Sequence, residues 1–189
     1  YQSTPPYEVL YTKWLSFDEI LRLKRIEEMV ELYYNSNQFR KTLLVLEQAF
    51  SGPFQMYSRL ADYYEEKGYF INTPARSYRY QVLLDFAMER EPEKADLYTE
   101  LLTCDYYLRE NAKSRPSFAA DHTCYYREMA DFYEKEEKEP EILTGYEGYH
   151  AKQVMKMTHM EAFFYPVWEN CPEKICERWE KPGFLLFDY

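Results

Sequence analysis

The chain has 189 residues, a formal net charge of -10, and 46% apolar against 30% charged side chains. That length suffices to bury about 70% of the unfolded surface without metals or disulfides, and the composition excludes a disordered chain. The charge argues against sequence-independent nucleic-acid binding, which relies on Lys and Arg displacing phosphate counterions; no apolar run in the sequence approaches the ~18 residues of a membrane span.

The opening "YQSTPPYEVLYTKW" is not a basic region followed by an apolar one, so no secretory signal is read there. Without a methionine, it implies a chain cut from a longer one. Ser16-Phe17-Asp18-Glu19 has the form of a capping box. Behind it Ile20, Leu23, Ile26, Val30 and Tyr33 recur at helical spacing, and "NSN" ends that helix. A second helix is expected from Phe39 to Phe50, with Leu43, Leu46, Ala49 and Phe50 inward. Gly52-Pro53 breaks it, and a third runs from Phe54 to Lys67 and closes at Gly68. Further helices are expected over about Ser77 to Arg90, Ala95 to Arg109 and His122 to Glu137. Between the last two, "NAKSRPSFAAD" reads as a loop, because the residue before a proline disfavours helix.

Beyond Pro140 the texture changes. "GYEGYHAKQVMKM" reads as extended and then irregular, whereas "HMEAFFYPVW" and "GFLLFDY" are short apolar runs bounded by Pro or Gly, which suits strands. The fold class expected is mainly α: an irregular bundle of about six helices, arranged as hairpins, with a small C-terminal antiparallel β ribbon. Residues 1–15 form a leading segment, and 16–189 one helical domain with its β element at about 140–189. The 21 tyrosines among 19% aromatic residues fall mostly at helical spacing. They are therefore assigned to helix contacts, rings inward and hydroxyls reaching water or a carbonyl. Tyr33-Tyr34 and Tyr63-Tyr64 invite comparison with tetratricopeptide units, which repeat every ~34 residues. The period drifts at the later "CDYYLREN" and "ADFYEKEE", so a peptide-binding helical module of that kind stands as the alternative.

The residues that could carry chemistry are few. His122, Cys124, Cys171 and Cys176 are the best set for a zinc ion, with spacings that are permitted but not diagnostic. Cys171 and Cys176 lack the tighter Cys-x-x-Cys form of a redox pair, and the two are read as ordinary thiols. Cys104 is read as a small buried hydrophobe. Arg109 and Arg115 flank a turn and could clamp a carboxylate or phosphate, or else serve a helix end and an acidic neighbour. Arg76 with Arg79, and Arg109 with Lys113 and Arg115, are local basic patches in an acidic chain. His159 enters an apolar stretch and is the most interesting histidine. The remaining Glu and Asp residues read as solvated helix faces. No glycine-framed nucleophile or phosphate loop is present in the sequence, so the chain itself is not read as an enzyme. Four scattered cysteines fit a reducing cytosol.

These same stretches carry a resemblance. "STPPYEVLYTKWLSFDEILRLKRIEEMVELYYNS" resembles the segment that leaves the catalytic barrel in cobalamin-binding radical SAM proteins. "ADYYEEKGYF", "YYLREN…SRPSF" and "KMTHMEAF" resemble the C-terminal domain of unknown function attached to many of those enzymes. The resemblance implies a parent enzyme using S-adenosylmethionine, a four-iron four-sulfur cluster and cobalamin. It also implies an intramolecular partner, the barrel, reached through residues 1–15, a segment that could alternatively pair two copies of the chain. None of those cofactors is assigned to this chain. Its cysteines lack the family's Cys-x-x-x-Cys-x-x-Cys spacing, so "CPEKIC" is not the iron site.

Overall fold

The structure, a computed structural model, describes residues 9, 11–110, 112 and 115–189. Most of the leading segment 1–15 therefore lies outside the described residues. The first helix, α1 (Phe17–Met29), opens on the expected capping box. Ser16 Oγ accepts the Glu19 N–H at 3.3 Å, and the Glu19 carboxylate accepts the Ser16 N–H at 2.7 Å. Ile26 and Met29 face inward, followed by Tyr33 on the π-helical turn Val30–Asn35. Leu23, expected on that face, is instead 43% exposed. The side toward the third helix is taken there by Arg22 and Arg25, which bond Ser58 at 2.9 Å and Glu65 at 2.6 Å.

The second helix, α2 (Arg40–Leu46), tightens into a 3₁₀ turn over Glu47–Ala49. Pro53 starts α3 (Pro53–Glu66), where its fixed φ and missing N–H cost nothing. Gly68, at φ 71°, ends it in the left-handed conformation that glycine adopts without strain. The next two helices are α4 (Arg79–Arg90) and α5 (Ala95–Arg109), the latter with the expected bounds. A 3₁₀ turn at Thr123–Tyr125 leads into α6 (Tyr126–Lys138).

α5 is the centre of the bundle. Leu97, Tyr98, Leu101, Leu102, Cys104 and Tyr107 are all buried along it, and α2 and α4 both pack on it while α1 packs on α3. A tandem array stacks each helix on its sequence neighbours; here α2 reaches past two helices to α5. The tyrosine rings occupy these contacts as expected. Tyr33, Tyr64, Tyr80 and Tyr98 are fully buried, and the Tyr33 and Tyr64 hydroxyls meet at 2.6 Å. Each such ring contributes roughly 1.5–3 kcal/mol by leaving water.

The C-terminal region forms α7 (Ala151–Met157), β1 (Thr158–Phe163), the single turn α8 (Pro172–Ile175) and β2 (Gly183–Asp188). The two strands pair antiparallel, Thr158 opposite Asp188 and Phe163 opposite Gly183, as the expected ribbon. The stretch read as extended and irregular is corrected: its second half is a helix. The Gln153 side chain accepts the His150 N–H at 2.9 Å, and Glu137 of α6 accepts the Ala151 N–H at 2.8 Å. Those bonds satisfy donors that would otherwise be orphaned at the start of α7. Ala151 and Val154 join Tyr133 and Leu143 in a small second core beside the main one. Phe163, Val167, Ile175 and Phe187 tie the ribbon and its connection into the main core. No helix among the described residues is long and apolar enough to cross a membrane.

Candidate functional site

Side chains two residues apart on a strand project to the same face, so β1 presents His159 and Glu161 together. The face they share looks onto the last turn of α5. There the Tyr107 ring stacks on the His159 imidazole, with centroids 3.8 Å apart and planes 23° off parallel. Glu161 is only 2% exposed. A carboxylate so far from water requires a countercharge, and Arg115 supplies it at 3.0 Å from Oε1. The same guanidinium bonds the Ala120 carbonyl, fixing the segment that leads into α6. His122, 7% exposed, brings Nδ1 to 3.4 Å from Oε1, and His159 Nε2 lies 3.4 Å from Oε2. One buried carboxylate thus faces a guanidinium and two imidazoles drawn from two stretches of chain, the 115–122 segment and β1 itself. Burial also pushes the Tyr107 hydroxyl well above the usual phenol range.

Arg115 and His159, singled out from the sequence, therefore meet at Glu161, together with His122 from the zinc set. Arg109 is not part of the cluster; it is exposed on the last turn of α5. Cys124 sits on the 3₁₀ turn ahead of α6, and Cys171 and Cys176 flank α8, with Cys171 Sγ donating to Glu173 at 2.8 Å. Among the described residues, which include all four, no group of three or more His, Cys, Asp or Glu side chains is placed to hold a metal ion. Nor does the cysteine set fit an iron–sulfur cluster: Cys104 is enclosed in α5, Cys124 stands on the turn ahead of α6, and Cys171 and Cys176 cap opposite ends of α8. Of the basic patches, Arg76 pairs with Glu110 at 2.5 Å and Arg79 donates to the Pro74 carbonyl; Lys113 lies outside the described residues.

The reading of Glu and Asp as solvated faces is corrected at several positions. Asp105 accepts the Lys41 and Thr42 N–H groups at 2.9 Å and the Thr42 hydroxyl at 2.8 Å. Glu100 accepts the Phe164 N–H at 2.9 Å and the Tyr165 N–H at 3.0 Å. Burial pushes Asp105 up to about 6 and Glu100 up to about 7, against the opposing pull of those N–H donors. Glu136 accepts the N–H groups of Glu141, Ile142 and Leu143, which hold its carboxyl below the usual range. The signal for Asp105 and Glu100 was present in the sequence: the middle turns of α5, "ADLYTELLTCDYYLR", are apolar around most of their circumference, which leaves an acid there little solvated face, whereas Asp96 in the first turn is exposed. Glu161 and Tyr107 were missed because no local pattern marks them.

These carboxylates share one task. Each takes donors from another part of the chain and fastens that part in place: Asp105 the start of α2, Glu100 the stretch after β1, Glu136 the turn after α6. The Glu161 cluster fastens the 115–122 segment to β1. The arrangement is a set of internal clasps, with the Arg115 guanidinium already facing an internal anion; within the Glu161 cluster, Arg115 Nε, His122 Nδ1 and the Tyr107 hydroxyl are buried without a hydrogen-bond partner among the described residues.

A cleft of about 340 Å³ between α3 and α4 is lined by Phe50, Tyr63 and Phe86. Its rim charges are likewise matched within the chain: Arg59 to Asp62 at 3.6 Å, Lys67 to Glu89 at 3.4 Å, and Arg90 to the Ala49 carbonyl at 2.8 Å.

A family model described as "Protein of unknown function (DUF4080)" matches residues 1–187. No curated protein and no solved structure matches the chain. With nearly its whole length covered and its helical bundle and terminal ribbon in place, the chain belongs to the DUF4080 family.

Proposed function

We propose that this chain is an accessory, non-catalytic domain at the C-terminal end of a cytoplasmic, cobalamin-dependent radical SAM enzyme. In this reading it packs on the catalytic barrel and shapes or covers the substrate opening, where a radical intermediate must be shielded from water. S-adenosylmethionine, the four-iron cluster and cobalamin belong to other parts of the parent. The resemblance of "PPYEVL" and the following helix to the barrel exit motivates the assignment.

One observation carries the non-catalytic part. The groups best suited to chemistry, Arg115, His122 and His159, all face the Glu161 carboxylate, which suits a scaffold. Tyr11, Trp14 and Phe17 are exposed large side chains at the start of the chain, a surface suited to an adjoining domain or, in the separated chain, to a second copy.

The test removes residues 16–189 from the parent enzyme and measures substrate turnover beside unproductive cleavage of S-adenosylmethionine. The expected result is lost coupling, with turnover falling while unproductive cleavage persists or rises. Normal turnover by the truncated enzyme refutes the assignment.

A further inference from the structure

A groove of about 420 Å³ runs between α1 and α3 and shares no lining residue with the Glu161 cluster. Its volume lies within the roughly 300–1,000 Å³ of ligand clefts. Its floor is Ile26, Val30 and Tyr57, and its walls are Tyr34 and Phe54. Those two rings are 64% and 65% exposed, although nothing in ordinary helix packing requires large rings to stand in water. Glu47 is the one charged residue lining the groove among the described residues, close enough to Tyr57 to help raise its hydroxyl, behind burial, to about 12. Glu27 and Glu31 directly follow the lining residues Ile26 and Val30 in sequence, and both are exposed, Glu31 also accepting from the Asn35 amide. The groove is thus apolar within and acidic at its edge. Arg22, at its α1 end, is engaged by Ser58 and Asp62.

We infer that this groove docks an amphipathic helix with basic flanks. Helix-in-groove recognition sets apolar anchors at i, i+3 or i+4, and i+7 into such a trough. The rim charges select the sign of the partner's polar face and exclude an acidic one. The inference stands on the groove alone and is independent of the accessory role proposed above.

The test uses two labelled synthetic helices with the same leucine stripe, one flanked by lysine and the other by glutamate, titrated into the full chain by fluorescence anisotropy. The lysine helix is expected to bind at least about tenfold tighter, with a gap that narrows at high salt. Phe54→Ser, a change at an exposed position that leaves the fold intact by circular dichroism, weakens it by at least about tenfold, as a central aromatic anchor does. Substituting Glu27, Glu31 and Glu47 by Gln closes the gap between the two helices. Equal affinity for both helices, or lysine-helix binding indifferent to Phe54→Ser, overturns the inference. So does self-association of the chain that Phe54→Ser abolishes, because the occupant is then a second copy.

Discussion

Asp105 offers the sharpest test of the clasp argument. Phe39, at the N-cap of α2, provides no side-chain cap, so the exposed donors of that helix start are met from α5 instead. Asp105→Ala leaves the Lys41 and Thr42 N–H groups and the Thr42 hydroxyl without their acceptor, and Thr42 is fully buried. Hydrogen bonds to a charged acceptor are worth about 1.5–3 kcal/mol each, so the gross loss is about 5–9 kcal/mol. Against it stands the cost of burying the charge. The rise from 3.8 to about 6 corresponds to about 3 kcal/mol at neutral pH. The net expectation is a loss of about 2–6 kcal/mol near pH 7, a large part of a typical domain's 5–15 kcal/mol.

The sign of the pH dependence follows from the direction of that shift. A carboxyl whose folded-state value is raised stabilises the fold fully below its unfolded value of 3.8, and that contribution is lost as pH rises through about 6. The penalty of Asp105→Ala is therefore greatest near pH 4 and shrinks toward pH 7. Urea unfolding of the two proteins across that window measures both quantities. Asp105→Asn, which keeps one acceptor and removes the charge, should lie nearer the parent at pH 7 than the alanine variant does. A loss below about 1 kcal/mol at every pH would show that α2 is held by its apolar face alone, and the clasp argument would fall.

Glu100 makes a second pH-dependent contribution of the same sign. Stability should fall as pH rises from about 4.5 to about 7, and Glu100→Gln should flatten that part of the curve in thermal melts; an unchanged slope refutes it. Gly183 opens β2 opposite Phe163, and a Cβ there would lie 2.8 Å from the Trp179 ring and 2.9 Å from the Trp168 ring. Gly183→Ala should therefore cost about 1–3 kcal/mol through forced ring movement, with a shift in tryptophan emission, whereas an unchanged melt and spectrum would show that the ring pair yields freely.

Elements announced by local chemistry were legible in the sequence. The Ser16–Glu19 box, the Gly52-Pro53 break and the Gly68 stop are each complete within a few residues. The ribbon was legible because "HMEAFF" and "GFLLF" are short and bounded by breakers. α7 was not, because part of its start is secured from outside: Glu137, on a different helix, receives the Ala151 N–H. The outward turn of Leu23 has a similar origin. Its helical spacing is correct, but Arg22 and Arg25 reach partners on α3 that no window of α1 reveals.

The Glu161 cluster shows the same limit at the level of the site. Arg115 and His159 drew attention separately, one beside a turn and the other in an apolar run, and neither position points to the other. What joins them is a carboxylate two residues beyond His159, indistinguishable by type from the many acids of the chain until β1 turns it inward. Strand alternation places His159 and Glu161 on one face, yet which face is buried depends on β2 and α5, which are distant in sequence. A sequence window registers a charge well before it registers burial, and burial is what converts Glu161 from a solvated acid into the point on which Arg115, His122 and His159 converge. The same physics bears on role. A guanidinium drawn to an internal carboxylate in a low-dielectric setting is held by an attraction that an incoming ligand would have to displace while leaving Glu161 buried without its countercharge. That cost favours a cluster that fastens the 115–122 segment to the ribbon over one that opens to receive a substrate.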